Sequence, residues 1–286
     1  MRVLVTGGTG MLGHLLVRQL KDRHRVIFTT HRAAIAIAGA EPLPWDLAEG
    51  RRELTGIDAV VHTAALTDVD GCQRDPEAAY RTNVLATRNL AASVPGAYFV
   101  YISTDFVFDG ARGNYREDDA PAPLSVYGTT KLQGEAEVPA GGCVVRTSIY
   151  GLGSGPGRPG LVEKLAARLR RGETLTGFTD QSFTPICCAN LAQFIGEILD
   201  RRYAGTVHIG SERPCNKHEF ITAVARGFGF GPERVREGLS SEVAYLAPRP
   251  RDASLDTAKA RRTFSARAWS LEESMDAIKR EWEERG

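Results

Sequence analysis

The sequence predicts an α/β fold: a doubly wound, parallel Rossmann sheet with a smaller, interleaved C-terminal substrate-binding region. Three observations predict it. The chain opens on a short apolar run, Arg2 to Thr6, that leads into the glycine turn TGGTGMLG. Short apolar runs then alternate with segments at helical spacing through residue 150, the rhythm of βαβ units. A Gly/Pro-rich stretch, GLGSGPGRPG at 151–160, ends that rhythm and marks a boundary.

Taken in order, the glycine turn is followed by residues 11–20, which set Leu12, Leu15, Leu16 and Leu20 at helical spacing. Residues 25–29 form the second strand and 58–62 the third. Asp75 and Pro76 predict a helix start, continued through Ala79, Val84, Leu85 and Leu90. Residues 97–103 read as strand, 125–137 as helix and 143–147 as strand. Beyond the boundary, 161–171 and 189–201 read as helices, the amphipathic part at 191–199 serving either core or interface. The run TVHIG from Thr206 is one more strand, expected to rejoin the main sheet near 206–210. Asn216 and Glu219 have capping-box spacing, so a helix is expected over 216–228. Residues 271–284 form a charged terminal helix. The expected division is an NADP-binding Rossmann domain over 1–150 and a mainly substrate-binding region over 151–286.

The chain has 286 residues, of which 42% are hydrophobic, and a formal net charge of +1. That balance points to neither a nucleic-acid nor a membrane surface. Five cysteines, an odd number without a C-x-x-C pair, read as reduced buried thiols. No apolar run approaches the ~18 residues of a membrane span, and the immediate first strand leaves no room for a signal peptide. A soluble cytoplasmic protein is expected, with no metal-ligand cluster and with a homodimer left open.

Gly7, Gly10 and Gly13 form G-x-x-G-x-x-G between a strand and a helix. Such glycines permit the tight turn and the close approach of backbone to a pyrophosphate, and Met11 and Leu12 then open a helix whose free amides favour phosphate. An NAD site commonly carries an acid at the end of the second strand for the ribose hydroxyls. Here Thr30, His31 and Arg32 stand there, and no acid precedes Glu41. The expected cofactor is NADPH (NADP+), its 2′-phosphate meeting a cation. Asp46 and Leu47 are placed at the adenine, Ala64 and Ala65 near ribose and nicotinamide. His62, ending an apolar strand, reads as structural.

Tyr127 and Lys131 lie four apart in the helical run SVYGTTKLQGE, so they share a face. An ammonium beside a phenol lowers the phenol pKa toward the working range, which suits a proton donor. Thr104, at the tip of the strand YFVYIS, supplies a hydroxyl to polarise a carbonyl. Asn83 is placed with this group, supporting it and the cofactor. Hydride transfer between a nicotinamide and a carbonyl is the chemistry these parts suit. The structural alternatives are Lys131 paired with Glu135, Tyr127 as a core aromatic and Thr104 as a strand-end cap.

The stretches TGGTGMLG, AVVHTAALTDVDGCQRDPEAAYRTN, YISTDFVFDG, NYREDDAPAPLSVYGTTKLQGE, VVRTS and RPRDASLD span almost the whole chain. With them the sequence resembles the extended short-chain dehydrogenase/reductase family, and within it the dTDP-4-dehydrorhamnose reductase group. The resemblance implies NADPH-dependent reduction of a 4-keto group on a nucleotide-linked deoxysugar, with Thr104, Tyr127 and Lys131 catalytic. It also implies substrate contacts from Thr67, Val69, Asp70, Asp105, Phe106, Phe108, Asp180, Gln181 and Arg249. Reductases of this group often carry a Trp after Arg-Thr-Ser; here RTSIYG is one residue shorter. A stacking surface is then missing or replaced by Tyr150. The related 4,6-dehydratases place Asp-Glu after the catalytic Thr, whereas this chain has Asp105 and Phe106. A sugar-nucleotide epimerase remains open. So does a non-catalytic NADP-binding subunit, because the regulatory beta subunit of methionine adenosyltransferase is similar to this group.

Overall fold

The computed structural model describes residues 1–31, 36–154 and 159–285. In chain order the first half comprises β1 (Arg2–Thr6), α1 (Met11–Leu20), β2 (Arg25–Thr30), β3 (Glu41–Pro44) and β4 (Ala59–His62). It continues with α2 (Val69–Arg74), α3 (Pro76–Tyr80), α4 (Ala86–Ser93), β5 (Tyr98–Ile102), α5 (Val126–Glu135), β6 (Cys143–Arg146) and β7 (Ser148–Tyr150). The second half comprises α6 (Leu161–Arg170), β8 (Leu175–Phe178), β9 (Ser182–Phe183), β10 (Pro185–Cys187), α7 (Cys188–Arg201) and β11 (Gly205–His208). After it come β12 (Cys215–Asn216), α8 (Lys217–Gly227), β13 (Val235–Gly238), α9 (Ala258–Thr263) and α10 (Leu271–Arg285).

Seven strands form the central sheet in the order β11-β6-β5-β4-β1-β2-β3, every neighbouring pair parallel. Strand β11 thus joins β6, with Val207 opposite Val145. Sheet order reverses direction at β1, and the crevice beyond the carboxyl ends of β1 and β4 is where ligands of open α/β sheets bind.

Alternation along the strands fills two layers. Val3 and Val5 pack with Leu12, Leu16 and the α7 residues Leu191, Phe194, Ile195 and Ile198. Leu4 and Val60 face the other way, against Leu90, Trp45 and Phe99. These α7 side chains are at most 2% exposed, which assigns the amphipathic segment 191–199 to the core. Each such burial stabilises the fold by about 1.5–3 kcal/mol. A second core joins Val162, Leu165, Leu169, Phe220, Val224 and Met275, all from the C-terminal half.

Up to β6 two elements lie outside the sequence expectation, and after it β7–β10, β12, β13 and α9 do as well. Strand β3 pairs with the edge of β2 although it carries Pro42 and Pro44. Helix α2 is a six-residue element following Asp68. The helix expected from Pro76 is interrupted by a π turn at Arg81–Leu85, and Asp75 caps its start by accepting from the Ala78 amide at 2.9 Å. The capping box of α8 forms, Asn216 and Glu219 each accepting the other's amide at 2.8 Å. All five cysteines are free and buried. Among the described residues no helix is long and apolar enough to cross a membrane.

Candidate active site

Past Thr6 the chain turns at Gly7, whose φ of +64° lies in the region L side chains rarely adopt. The Gly10 amide closes the turn on the Gly7 carbonyl at 2.8 Å. A Cβ on Gly13 would fall 2.2 Å from that same carbonyl oxygen, so α1 packs this closely only with glycine there. Gly10 is the N-cap of α1 and offers no side-chain cap, and no acid stands in the first turn. The first amides of the helix are therefore suited to an anion.

Two clefts of about 420 Å³ each flank this turn. Gly7, His31, Asp46, Leu47 and Ala64 line one; Gly10, Met11, Leu12, Gly13 and Ala65 line the other. Clefts on either side of a glycine turn are where a dinucleotide would be held, its phosphates at the helix N-terminus. The Asp46 carboxylate accepts from the Ala48 amide at 2.9 Å and stands 3.1 Å from His31 Nε2. Arg32, the expected partner of a 2′-phosphate, lies outside the described residues. His62 is structural: its ring nitrogens meet Thr6 and Thr87 hydroxyls at 2.6 and 2.9 Å, and burial pushes its pKa down to about 3.

The second cleft also holds Thr104, Tyr127 and Lys131. Ser125 caps α5 by accepting from the Gly128 amide at 3.2 Å, which starts the helix one residue before Tyr127. Thr104 follows β5 and accepts from the Phe106 amide at 3.2 Å. Its hydroxyl donates to Asp105 Oδ1 at 3.0 Å, and Thr104 lines the same cleft as Tyr127. The edge of Phe106 meets the Tyr127 ring, centroids 5.7 Å apart.

The electrostatics differ from the sequence expectation. Burial pushes the Tyr127 phenol above its ordinary value, and the nearby Thr104 hydroxyl offsets part of the rise. Lys131 does not lower it, because its ammonium is turned to the sheet. Lys131 Nζ donates to the Ile102 carbonyl at 2.8 Å and lies 4.1 Å from the Tyr101 ring centroid. Burial brings its own pKa down to about 7, against the raising influence of Glu135. Nor is Glu135 its ion-pair partner. That carboxylate takes Arg146 Nη2 at 2.8 Å and Ser103 Oγ at 2.5 Å.

Asn83 is corrected from cofactor contact to scaffold. It is 1% exposed; its amide oxygen accepts from the Leu66 N–H, and its nitrogen donates to the Leu66 carbonyl and the Thr130 hydroxyl, all within 3.1 Å. Both amide protons are thereby used. The π turn brings Asn83 to this position, where it ties the loop after β4 to α5 one residue from Lys131.

On the substrate side Thr67, Val69, Asp105 and Phe106 line the catalytic cleft. Tyr150 does not. Pairing of β7 with β10 fixes the alternation so that Ile149 lines the cleft while Tyr150 turns inward against Phe220, centroids 4.9 Å apart. Phe108 is likewise core, stacked on Tyr115 at 4.3 Å. Asp180, Gln181, Arg249 and Arg251 line a separate cleft of about 570 Å³. Arg249 there pairs with Asp70 at 3.1 Å and donates to the Ala247 carbonyl at 3.0 Å. Lys217, absent from the sequence reading, faces Asp105: burial raises the Asp105 pKa and the Lys217 charge opposes it. Only the tertiary fold brings together these residues from the two halves.

The family described as RmlD substrate binding domain matches residues 1–282. The chain is 33% identical to a dTDP-4-dehydrorhamnose reductase of Streptomyces griseus, over 97% of this chain and 94% of that one. It is 31% identical to methionine adenosyltransferase 2 subunit beta of Danio rerio, over 90% and 83% respectively. A crystal structure of dTDP-4-dehydrorhamnose reductase from Bacillus anthracis in complex with NADP superposes with a TM-score of 0.84 at 26% identity, covering 98% of this chain and 99% of that one.

Proposed function

We propose that this chain, which belongs to the RmlD substrate binding domain family and is an NAD(P)H-dependent oxidoreductase, uses NADPH to reduce a 4-keto group on a nucleotide-linked deoxysugar. The observation that carries the reading is the convergence of Thr104, Tyr127 and Lys131 in one cleft beside the glycine turn. NADPH, when bound, supplies the hydride. Tyr127 is a phenol across the neutral range, because burial raises its pKa, and it gives its proton to the carbonyl oxygen. Thr104 orients that oxygen. Lys131 keeps its ammonium on the Ile102 carbonyl, has donors left for the cofactor ribose, and is half charged near its pKa of about 7. Phe106, Val69 and Ile149 give the cleft an apolar side suited to a deoxy carbon. The nucleotide and its diphosphate take the neighbouring cleft with Gln181, Arg249 and Arg251, where guanidinium groups match phosphate oxygens.

The deciding experiment mixes the purified protein with NADPH and a panel of dTDP-4-keto-deoxysugars and follows NADPH oxidation. Tyr127→Phe is expected to keep NADPH affinity and lose roughly 10²–10⁴ in turnover, the size of a general-acid contribution. Unchanged turnover in that variant removes Tyr127 from the mechanism, and sugar conversion without added reductant points to an epimerase. Similarity to methionine adenosyltransferase 2 subunit beta favours a second reading, a dinucleotide-binding partner protein. No oxidation across the panel, with stoichiometric association with a methionine adenosyltransferase, selects it.

A further inference from the structure

We infer that Asp70 is a positioning residue: its carboxylate holds the Arg249 guanidinium in the pose that meets the substrate diphosphate. The inference rests on the reductase reading above and deepens it by naming what orients the cation on the phosphate side. Arg249 ends a stretch, 245–249, that has neither helix nor strand. A long side chain on such a stretch has many rotamers, and a ligand that must order it binds more weakly than one that finds it ordered. Three contacts order it here. Arg249 Nη2 lies 3.1 Å from Asp70 Oδ1, Nη1 donates to the Ala247 carbonyl at 3.0 Å, and the guanidinium carbon stands 4.7 Å from the Tyr245 ring centroid. Pro248 and Pro250 flank Arg249 and restrict the backbone that carries it. A guanidinium has further N–H donors beyond the two used here, and these are left for phosphate oxygens.

Helix α2 places Asp70 for this task. Val69, its first residue, lines the catalytic cleft. Asp70, the next residue, reaches Arg249, which lines the other cleft. The same Asp70 oxygen accepts from the Ala247 amide at 3.0 Å, so backbone and side chain of the stretch both hang on it. The flanks of the stretch are tied elsewhere: the Ser240 amide and hydroxyl donate to the Asp180 carboxylate at 2.8 and 2.7 Å, and the Asp252 amide to the Gly110 carbonyl at 3.0 Å. Two adjacent residues of α2 thus serve the sugar side and the diphosphate side, and a sugar nucleotide spanning both clefts is held against one element. The negative charge of Asp70 works in the opposite direction, since it repels phosphate. Its side chain is 33% exposed, so solvent screens that repulsion, whereas the two contacts to Oδ1 need only an acceptor oxygen. Position therefore outweighs charge.

Calorimetric titration of dTDP, and in parallel of UDP, into the protein at saturating NADPH tests the inference. Each carries the two phosphates without the sugar. Asp70→Ala is expected to weaken binding of the nucleotide that the parent takes by about three- to tenfold, with NADPH affinity unchanged. Asp70→Asn keeps the acceptor oxygen and drops the charge; it is expected to restore affinity to near the parent value. In an Arg249→Met background, Asp70→Ala is expected to change nothing further, because Asp70 acts through that guanidinium. Binding equal to the parent's or tighter in Asp70→Ala overturns the inference. So does an Asn variant as weak as the Ala variant, or an equal further loss in the Arg249→Met background. Each of these results leaves the reductase reading standing. A parent that binds neither nucleotide removes the nucleotide-sugar reading, and this inference with it.

Discussion

Glu135→Ala probes how the scaffold beneath the cleft sets both stability and charge. Glu135 accepts Arg146 Nε at 3.0 Å, Arg146 Nη2 at 2.8 Å and Ser103 Oγ at 2.5 Å. The two charged side chains are 9% and 6% exposed, so neither is well screened by water. Arg146 Nη1 is already a buried nitrogen without a hydrogen-bond partner. Removing the carboxylate strands the guanidinium, a loss of about 3–5 kcal/mol. For a protein of this size that corresponds to roughly 5–8 °C in melting temperature. A second effect follows at Lys131. Glu135 raises the Lys131 pKa against burial, so without it the pKa drops below about 7 and the ammonium is lost at lower pH. Turnover that needs this ammonium falls as pH rises through the folded pKa, so the alkaline limb moves down. Thermal denaturation and a turnover–pH profile measure the two effects. A melting temperature within about 2 °C of the parent, or an unmoved alkaline limb, refutes the reasoning.

Gly13→Ala places a methyl 2.2 Å from the Gly7 carbonyl oxygen; overpacking of that kind costs about 1–3 kcal/mol, and calorimetric titration is expected to show weakened NADPH binding. Folded His62 titrates at about 3 rather than 6.5, so between those values the unfolded chain binds the extra proton and stability declines as pH falls. At pH 5 the decline from this residue is about 2 kcal/mol, and denaturant titrations of His62→Gln at pH 7 and pH 5 are expected to show that part of the acid dependence gone.

The parts of the fold that were legible in the chain are those set by local rules. The glycine turn, the Asp75 and Asn216 caps, and the Tyr127–Lys131 spacing each depend on residues within a few positions of one another. What escaped depends on distant partners. Tyr150 and Ile149 look interchangeable as cleft residues until pairing with β10 decides which one turns inward. Phe108 reads as a mouth residue until Tyr115 stacks on it. Lys131 beside Tyr127 suggests a lowered phenol pKa, but its ammonium turns to the Ile102 carbonyl and the ring's burial raises the value. The proximity of Asp105 and Lys217 is invisible to motif reading, since it comes from packing one half of the chain against the other. Helix α2 was missed because TDVDGCQRD is short, polar and contains a glycine.

Strand β3 has a consequence for how copies of this chain meet. The Trp45 amide, just past its end, bonds inward to the Thr30 carbonyl at 3.0 Å, so by the two-residue alternation of a strand the even positions present their nitrogens outward. Those positions are Pro42 and Pro44, which have no hydrogen to offer. This rim of the sheet offers an eighth strand carbonyl acceptors but no N–H donors at those two positions, which weakens ribbon-like self-assembly.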